Sequence, residues 1–131
     1  MSAFTPVELA YLTGERRLGR LATVGADGTP HVVPLGWSYD PDDDVIVITG
    51  HDMVRSKKFR DVARSGRAAL VVDDVLPPWR PRGVEIRGHA EAREAPRPHI
   101  RLVPERIVSW GLDPDDGSDG RTRTARTVAR R

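Results

Sequence analysis

The residues best placed by type and spacing to do chemistry lie in Thr49-Gly-His-Asp-Met-Val-Arg-Ser-Lys-Lys-Phe-Arg60. This stretch holds Lys57 and Lys58, the two lysines among 21 basic residues, where every other cation is an arginine. Ser56 precedes them as a candidate helix N-cap, since its hydroxyl can accept from a free amide of the first turn. Two ammonium groups at a helix start oppose the helix dipole and cost roughly a few tenths of a kcal/mol each. A bound anion would reverse that sign by using the free amides and the lysines together. Two readings stand at this point, a phosphate site and a pair of solvated surface charges.

Other chemistries find less support. His31, His51, His89 and His99 have no metal-ligand spacing, and the chain has no cysteine to complete a zinc site or form a disulfide. Ser56 and Ser109 sit in no Gly-x-Ser-x-Gly elbow. Neither a Gly-x-x-x-x-Gly-Lys-Ser/Thr loop nor a Gly-x-Gly-x-x-Gly turn occurs. Asp40-Pro-Asp-Asp-Asp44 lacks the spaced aspartates and distal glutamate of a calcium loop, and is expected to be a solvated hairpin turn. Three of the seven aromatic residues are tryptophans. Trp79 lies in a proline loop with Arg80 and Arg82, where it can cap a planar ligand, cross an interface or lid the core.

These residues need a scaffold. Phe4-Thr-Pro-Val-Glu-Leu9 is a helix start, with Thr5 as cap, Pro6 at the first position, Glu8 closing a capping box and Phe4 stapling onto Leu9. Gly14 should end that helix. Short β segments follow: Leu18–Val24, then the Gly25-Ala-Asp-Gly28 turn, His31–Tyr39, Val45–Thr49, Arg67–Val75, Val84–Arg93 and Ile100–Trp110. Pro34 removes a ladder donor, which requires an edge, a bulge or a non-strand neighbour. Gly36 admits a close backbone or ligand. Between the third and fourth strands, Phe59, Val62 and Ala63 mark one helix face and Gly66 its end. Leu76–Gly83 looks too proline-rich for regular structure, and Pro104 should break the sixth strand in two.

Six strands joined mostly by hairpin turns predict a small closed or split antiparallel barrel, not a doubly wound sheet. The length of 131 residues suits one domain. We expect it to span residues 1–112, followed by a disordered basic tail over 113–131. No signal pattern or membrane-length apolar run is present, so a soluble cytoplasmic protein is the expectation. The net charge of +2 gives little electrostatic case for nucleic acid.

The order of segments Arg20–Trp37, Ile46–Gly50 and Ser56–Val62 resembles the pyridoxamine 5′-phosphate oxidase-like split barrels. Asp74-Val-Leu-Pro-Pro-Trp-Arg-Pro-Arg-Gly-Val-Glu-Ile-Arg-Gly88 and Pro104-Glu-Arg-Ile-Val-Ser-Trp-Gly-Leu112 are similar to the actinobacterial branch that uses the deazaflavin coenzyme F420. The resemblance implies a six-stranded split β-barrel, a homodimer and a cofactor at the dimer interface. It assigns the cofactor phosphate to Thr49, Gly50, Arg55, Ser56, Lys57 and Lys58. The ring system would face Val33, Pro34 and Leu35, with Trp79 and Arg80 covering it from the partner chain. The implied activity is hydride transfer between reduced F420 and a small unsaturated or conjugated molecule. The alternatives are an FMN flavoprotein and a non-enzymatic cofactor or tetrapyrrole binder. No side chain is implied as catalytic, because in such proteins the cofactor carries the hydride. The phosphate-binding arginine of the oxidases has no equivalent near His31 and Val32, which argues against pyridoxine phosphate oxidation.

Overall fold

The computed structural model describes residues 1–113 and 123–129. Helix α1 spans Pro6–Gly14, and its capping box forms as the sequence predicts: Thr5 Oγ1 accepts from the Glu8 amide and Glu8 Oε1 accepts from the Thr5 amide. The strands are β1 Gly19–Val24, β2 Pro30–Leu35, β3 Ser38–Asp40, β4 Val45–Ile48, β5 Arg67–Leu76, β6 Arg80–Arg93, β7 His99–Trp110 and β8 Arg123–Thr127. A 3-10 turn at Met53–Arg55 leads into helix α2, Lys57–Ser65. Ser56 caps α2 by accepting from the Phe59 amide at 3.3 Å, and Gly66 ends it at φ 69°.

One mainly antiparallel sheet runs β2-β1-β5-β6-β7-β4-β3, with β8 added beside β7. It has eight strands rather than the expected six, and its two ends do not pair among the described residues. Two local events account for the difference. The expected strand His31–Tyr39 divides at Gly36-Trp37, because Trp37 turns inward to donate Nε1–H to the Arg17 carbonyl at 2.9 Å. The second event is in the tail. Arg123–Thr127, expected to lack structure, pairs antiparallel with Arg106–Trp110. Residues 114–122 and 130–131 of that tail lie outside the described residues.

Strand β7 serves two neighbours along one edge, β4 through Ile100–Leu102 and β8 through Arg106–Trp110. Between them Pro104 does not break the strand. It sits at a bulge, where Gly88 faces Pro104 and Arg87 faces Arg106, leaving Glu105 as the extra residue. A Cβ on Gly88 would lie 1.9 Å from the Val103 carbonyl oxygen, so the bulge requires glycine there. The Leu76–Gly83 stretch also departs from expectation. Its ladder closes through Leu76 opposite Arg80, Val75 opposite Pro81 and Asp74 opposite Arg82. Only Pro77-Pro78-Trp79 remains as a hairpin tip.

The core collects the inward residues of the central strands, with Leu21, Ile46, Leu70, Ile86, Ile100, Leu102 and Ile107 at most 1% exposed. Helix α2 contributes Phe59 and Val62. Ala63, expected on that face, is exposed; Asp61 turns inward instead. Pro34 lies on β2, an edge strand with a single sheet neighbour, which is one of the three settings the sequence allows.

The tail strand is held by charge as well as by ladder bonds. Glu8 is 1% exposed. Its carboxylate accepts from Arg126 at 2.9 and 2.5 Å and from Ser109 Oγ at 2.7 Å. Burial alone would raise the Glu8 carboxyl pKa, but the hydrogen bonds from Arg126, Thr5 and Ser109 outweigh it and hold it below the usual range. Glu8 therefore joins α1, β7 and β8, a role beyond capping that its spacing from Thr5 does not reveal.

Candidate functional site

Helix α2 starts just past the end of β4, and the loop between them presents Thr49, Gly50, Arg55 and Lys57 at the surface, with Ser56 and Lys58 half-buried. The Ser56 cap occupies the Phe59 amide, which leaves the Lys57 and Lys58 amides without intrahelical partners. Neither Lys58 nor Arg55 has an acidic partner among the described residues. The donor set here is a threonine hydroxyl, open amides and cations. That chemistry fits a phosphate.

Lys57 differs from Lys58. Its Nζ lies 3.5 Å from Asp61 Oδ1 in an i,i+4 pair. Asp61 is 1% exposed and accepts from Thr23 Oγ1 on β1 at 2.9 Å, with Arg64 Nη1 at 3.6 Å. Burial pushes the Asp61 carboxyl upward, and the Thr23 hydrogen bond with the Lys57 and Arg64 charges brings it net below its usual range. Lys57 is thus a tethered cation over the first turn, and Lys58 a free one. Asp61 and Thr23 were not singled out from sequence. The Lys57-x-x-x-Asp61 spacing was the available signal for one of them; nothing local marks Thr23.

The same contact fixes where β2 lies. Asp61 reaches Thr23, and Thr23 pairs with His31 on β2. Val33 follows two residues along that strand, about 7 Å away at the strand rise. Val33 and Pro34 are exposed, and Leu35 is half-buried. The expected ring-facing residues therefore run along β1 away from that anchor, with Val33 opposite Leu21, Pro34 opposite Arg20 and Leu35 opposite Gly19 at the strand's other end.

Trp79 and Arg80 stand apart from the anchor of Lys57 within one chain. Ala69 on β5 is level with Ala22, next to Thr23, whereas Leu76 below the hairpin tip is seven residues further on. At the strand rise that separation is about 23 Å. Trp79 is 74% exposed at the tip. The hairpin is held upright by a cluster at its base. Asp74 accepts from Arg82 Nε at 2.8 Å and Nη2 at 3.0 Å and from the Tyr11 hydroxyl at 2.8 Å. The Arg82 guanidinium, chief among these partners, pulls the Asp74 carboxyl down to about 2. Arg17 stacks on the Tyr11 ring at 3.9 Å to its centroid, so α1 and the hairpin share one partly buried network.

Two cavities lie elsewhere. One of about 890 Å³ opens beside the N-terminus and the β3–β4 turn; it is lined by none of the stretch from Thr49 to Lys58. Of its three acids, Asp44 is engaged by Ser2, the Ala3 amide and Tyr39, and Asp43 by Arg101. Another of about 570 Å³ begins at Gly36, one residue past Leu35.

Comparison with known proteins adds a lineage to this geometry. Residues 6–130 match the family model described as pyridoxamine 5′-phosphate oxidase. A 5a,11a-dehydrotetracycline/5a,11a-dehydrooxytetracycline reductase of Streptomyces rimosus subsp. rimosus is 46% identical over 142 residues, covering 98% of this chain and 99% of that protein. An F420H(2)-dependent biliverdin reductase of Mycobacterium tuberculosis is 41% identical over 64 residues, covering 47% of this chain and 43% of that protein. Among solved structures, a conserved hypothetical protein from Mycobacterium tuberculosis superposes with a TM-score of 0.69 at 24% identity, over 82% of this chain and 84% of that one. With the antiparallel strand order and the capped, lysine-bearing helix after β4, this chain belongs to the pyridoxamine 5′-phosphate oxidase family.

Proposed function

We propose that this chain is an oxidoreductase that uses reduced coenzyme F420 to reduce a small conjugated molecule. The observation that carries the reading is the start of α2, where the first amides, the tethered Lys57 and the neighbouring Lys58 follow closely on Thr49 and supply the donors a phosphate needs. Support for the cofactor and the direction of reaction comes from relatives named as a dehydrotetracycline reductase and an F420H(2)-dependent biliverdin reductase. Thr49, Gly50, Arg55, Ser56, Lys57 and Lys58 would hold the phosphate end, with Val33, Pro34 and Leu35 along the ring. When bound, the reduced deazaflavin supplies the hydride. The protein's own work is to bind, to orient and to exclude water.

The functional unit we propose is a homodimer. Leu76, at the base of the hairpin that carries Trp79 and Arg80, lies about 23 Å along β5 from the level of Lys57's anchor, which supports a second copy as the source of a hairpin covering the phosphate end. Val75 at 46% and Trp79 at 74% exposure at the hairpin, and Val32 at 71% at the other end of the sheet, give that copy apolar surface to bury.

The phosphate cradle is common to F420 and FMN, which keeps an FMN flavoprotein as the second reading. Isothermal titration decides between them. Saturable heat with F420 and little with FMN is the expected result. Tight FMN binding with no heat from F420, or a protein that purifies yellow with flavin absorbance, overturns the first reading.

A further inference from the structure

Glycines in this fold mostly have a visible reason. Gly83 and Gly88 are crowded, with 2.7 and 1.9 Å to the nearest atom from an added Cβ, while Gly28 and Gly66 have positive φ. Gly36 has neither reason: its φ lies outside the left-handed region and an added Cβ meets nothing within 4 Å. The fold would accept a side chain there. What Gly36 does border is the cavity of about 570 Å³ between the end of α1 and the β2–β3 corner. That volume is in the range of a small-molecule pocket.

The cavity's lining has a consistent chemistry. Leu12, Leu18 and Trp37 supply apolar surface, and Leu18 is 58% exposed. The Trp37 indole is fixed by its bond to the Arg17 carbonyl at 2.9 Å. Arg17 is committed to Asp74, Glu15 and the Tyr11 carbonyl. Arg16, exposed beside it, has no acidic partner among the described residues. One side of the space is therefore apolar and flat; the other carries Arg16, with Glu15 on the same lining turned to Arg17 at 3.6 Å.

We infer that this cavity is the substrate seat, and that it takes a planar fused-ring molecule bearing an acidic oxygen group. The ring lies against Trp37 and Leu18, the acidic group meets Arg16, and the absent Cβ of Gly36 leaves room for the ring edge. The assignment as a substrate seat rests on the cofactor reading above, since Gly36 follows directly on the proposed ring-facing segment Val33–Leu35.

The test uses full-length protein titrated with anthraquinone-2-sulfonate and with 2-(hydroxymethyl)anthraquinone, followed by tryptophan quenching. Wild type should bind both. Gly36→Phe should weaken both by about tenfold or more, because the added ring fills the space. Arg16→Ala should weaken the sulfonate by about threefold or more and leave the neutral compound within twofold. Sedimentation and F420 titration of the same variants complete the experiment. The inference is overturned if neither variant alters probe binding, or if Gly36→Phe turns a dimer into a monomer, which would make the cavity an interface. Should F420 fail to bind while both variants still alter probe binding, the pocket stands and the cofactor reading falls. Should F420 bind but neither probe does, the pocket falls alone.

Discussion

Replacing Lys57 and Lys58 by alanine one at a time separates their two jobs. Lys57 Nζ sits 3.5 Å from Asp61, with its side chain 51% exposed. At that distance a water-screened pair is worth about 1 kcal/mol, and the exposure makes the screened figure the applicable one. Asp61 is not stranded by the loss, because Thr23 and Arg64 remain. Relief of the unfavourable helix-dipole interaction returns roughly 0.3 kcal/mol. Lys57→Ala should therefore cost about 0.5 to 1 kcal/mol of stability. Lys58→Ala, with no acidic partner to lose, should leave stability unchanged or raise it by a few tenths, roughly. Each should weaken F420 binding by about tenfold or more, the value of a lost charge-assisted contact. Urea unfolding at pH 7 measures the first pair of effects, and fluorescence titration with F420 the second. Equal destabilisation by both substitutions would refute the tether between Lys57 and Asp61. Unchanged affinity in both would refute the phosphate cradle.

Three more perturbations follow from the geometry. Arg126→Ala leaves the Glu8 carboxylate buried with only Ser109 and the Thr5 amide, and should destabilise by about 3 kcal/mol in urea unfolding. Glu8, Asp61 and Asp74 all have carboxyl pKa values lowered in the folded state. Their stabilisation is complete above the unfolded carboxylate range near pH ~4 and is lost as pH falls through the folded values. Urea midpoints should therefore drop between pH 4 and 2.5, and Asp74→Asn should flatten part of that slope. Gly88→Ala should cost at least about 3 kcal/mol or prevent soluble folding, since its methyl would meet the Val103 carbonyl; Gly36→Ala should be close to neutral in circular dichroism melts.

Local sequence signals located many of the elements. The capping box at Thr5 and Glu8, the Ser56 cap and the Gly66 stop use contacts within a few residues, so their spacing suffices to state them. Pro34 limited β2 to an edge, a bulge or a non-strand neighbour because a missing donor is a property of one residue, and the fold takes the first of these. The errors share a cause. Pro104 and the Leu76–Gly83 stretch were misjudged because a proline's cost depends on its cross-strand neighbour, and that neighbour is set by register. Ala63 was placed inside on helical period alone, but Asp61 turns in to meet Thr23, 38 residues earlier in the chain.

The sequence by itself determined where the cations, caps and turns fall, and that sufficed to draw attention to Lys57 and Lys58. Tertiary structure alone decided that these two lysines are unequal, since Asp61 is buried only once α2 lies across β1. It decided that the tail from Arg123 is a strand, since Arg126 has a reason to order only when Glu8 is buried beneath it. It also decided that Trp79 stands at the far end of β5 from the anchor of Lys57. Helix starts and turns are written in neighbouring residues. Burial, register and the pairing of distant charges are written in the fold.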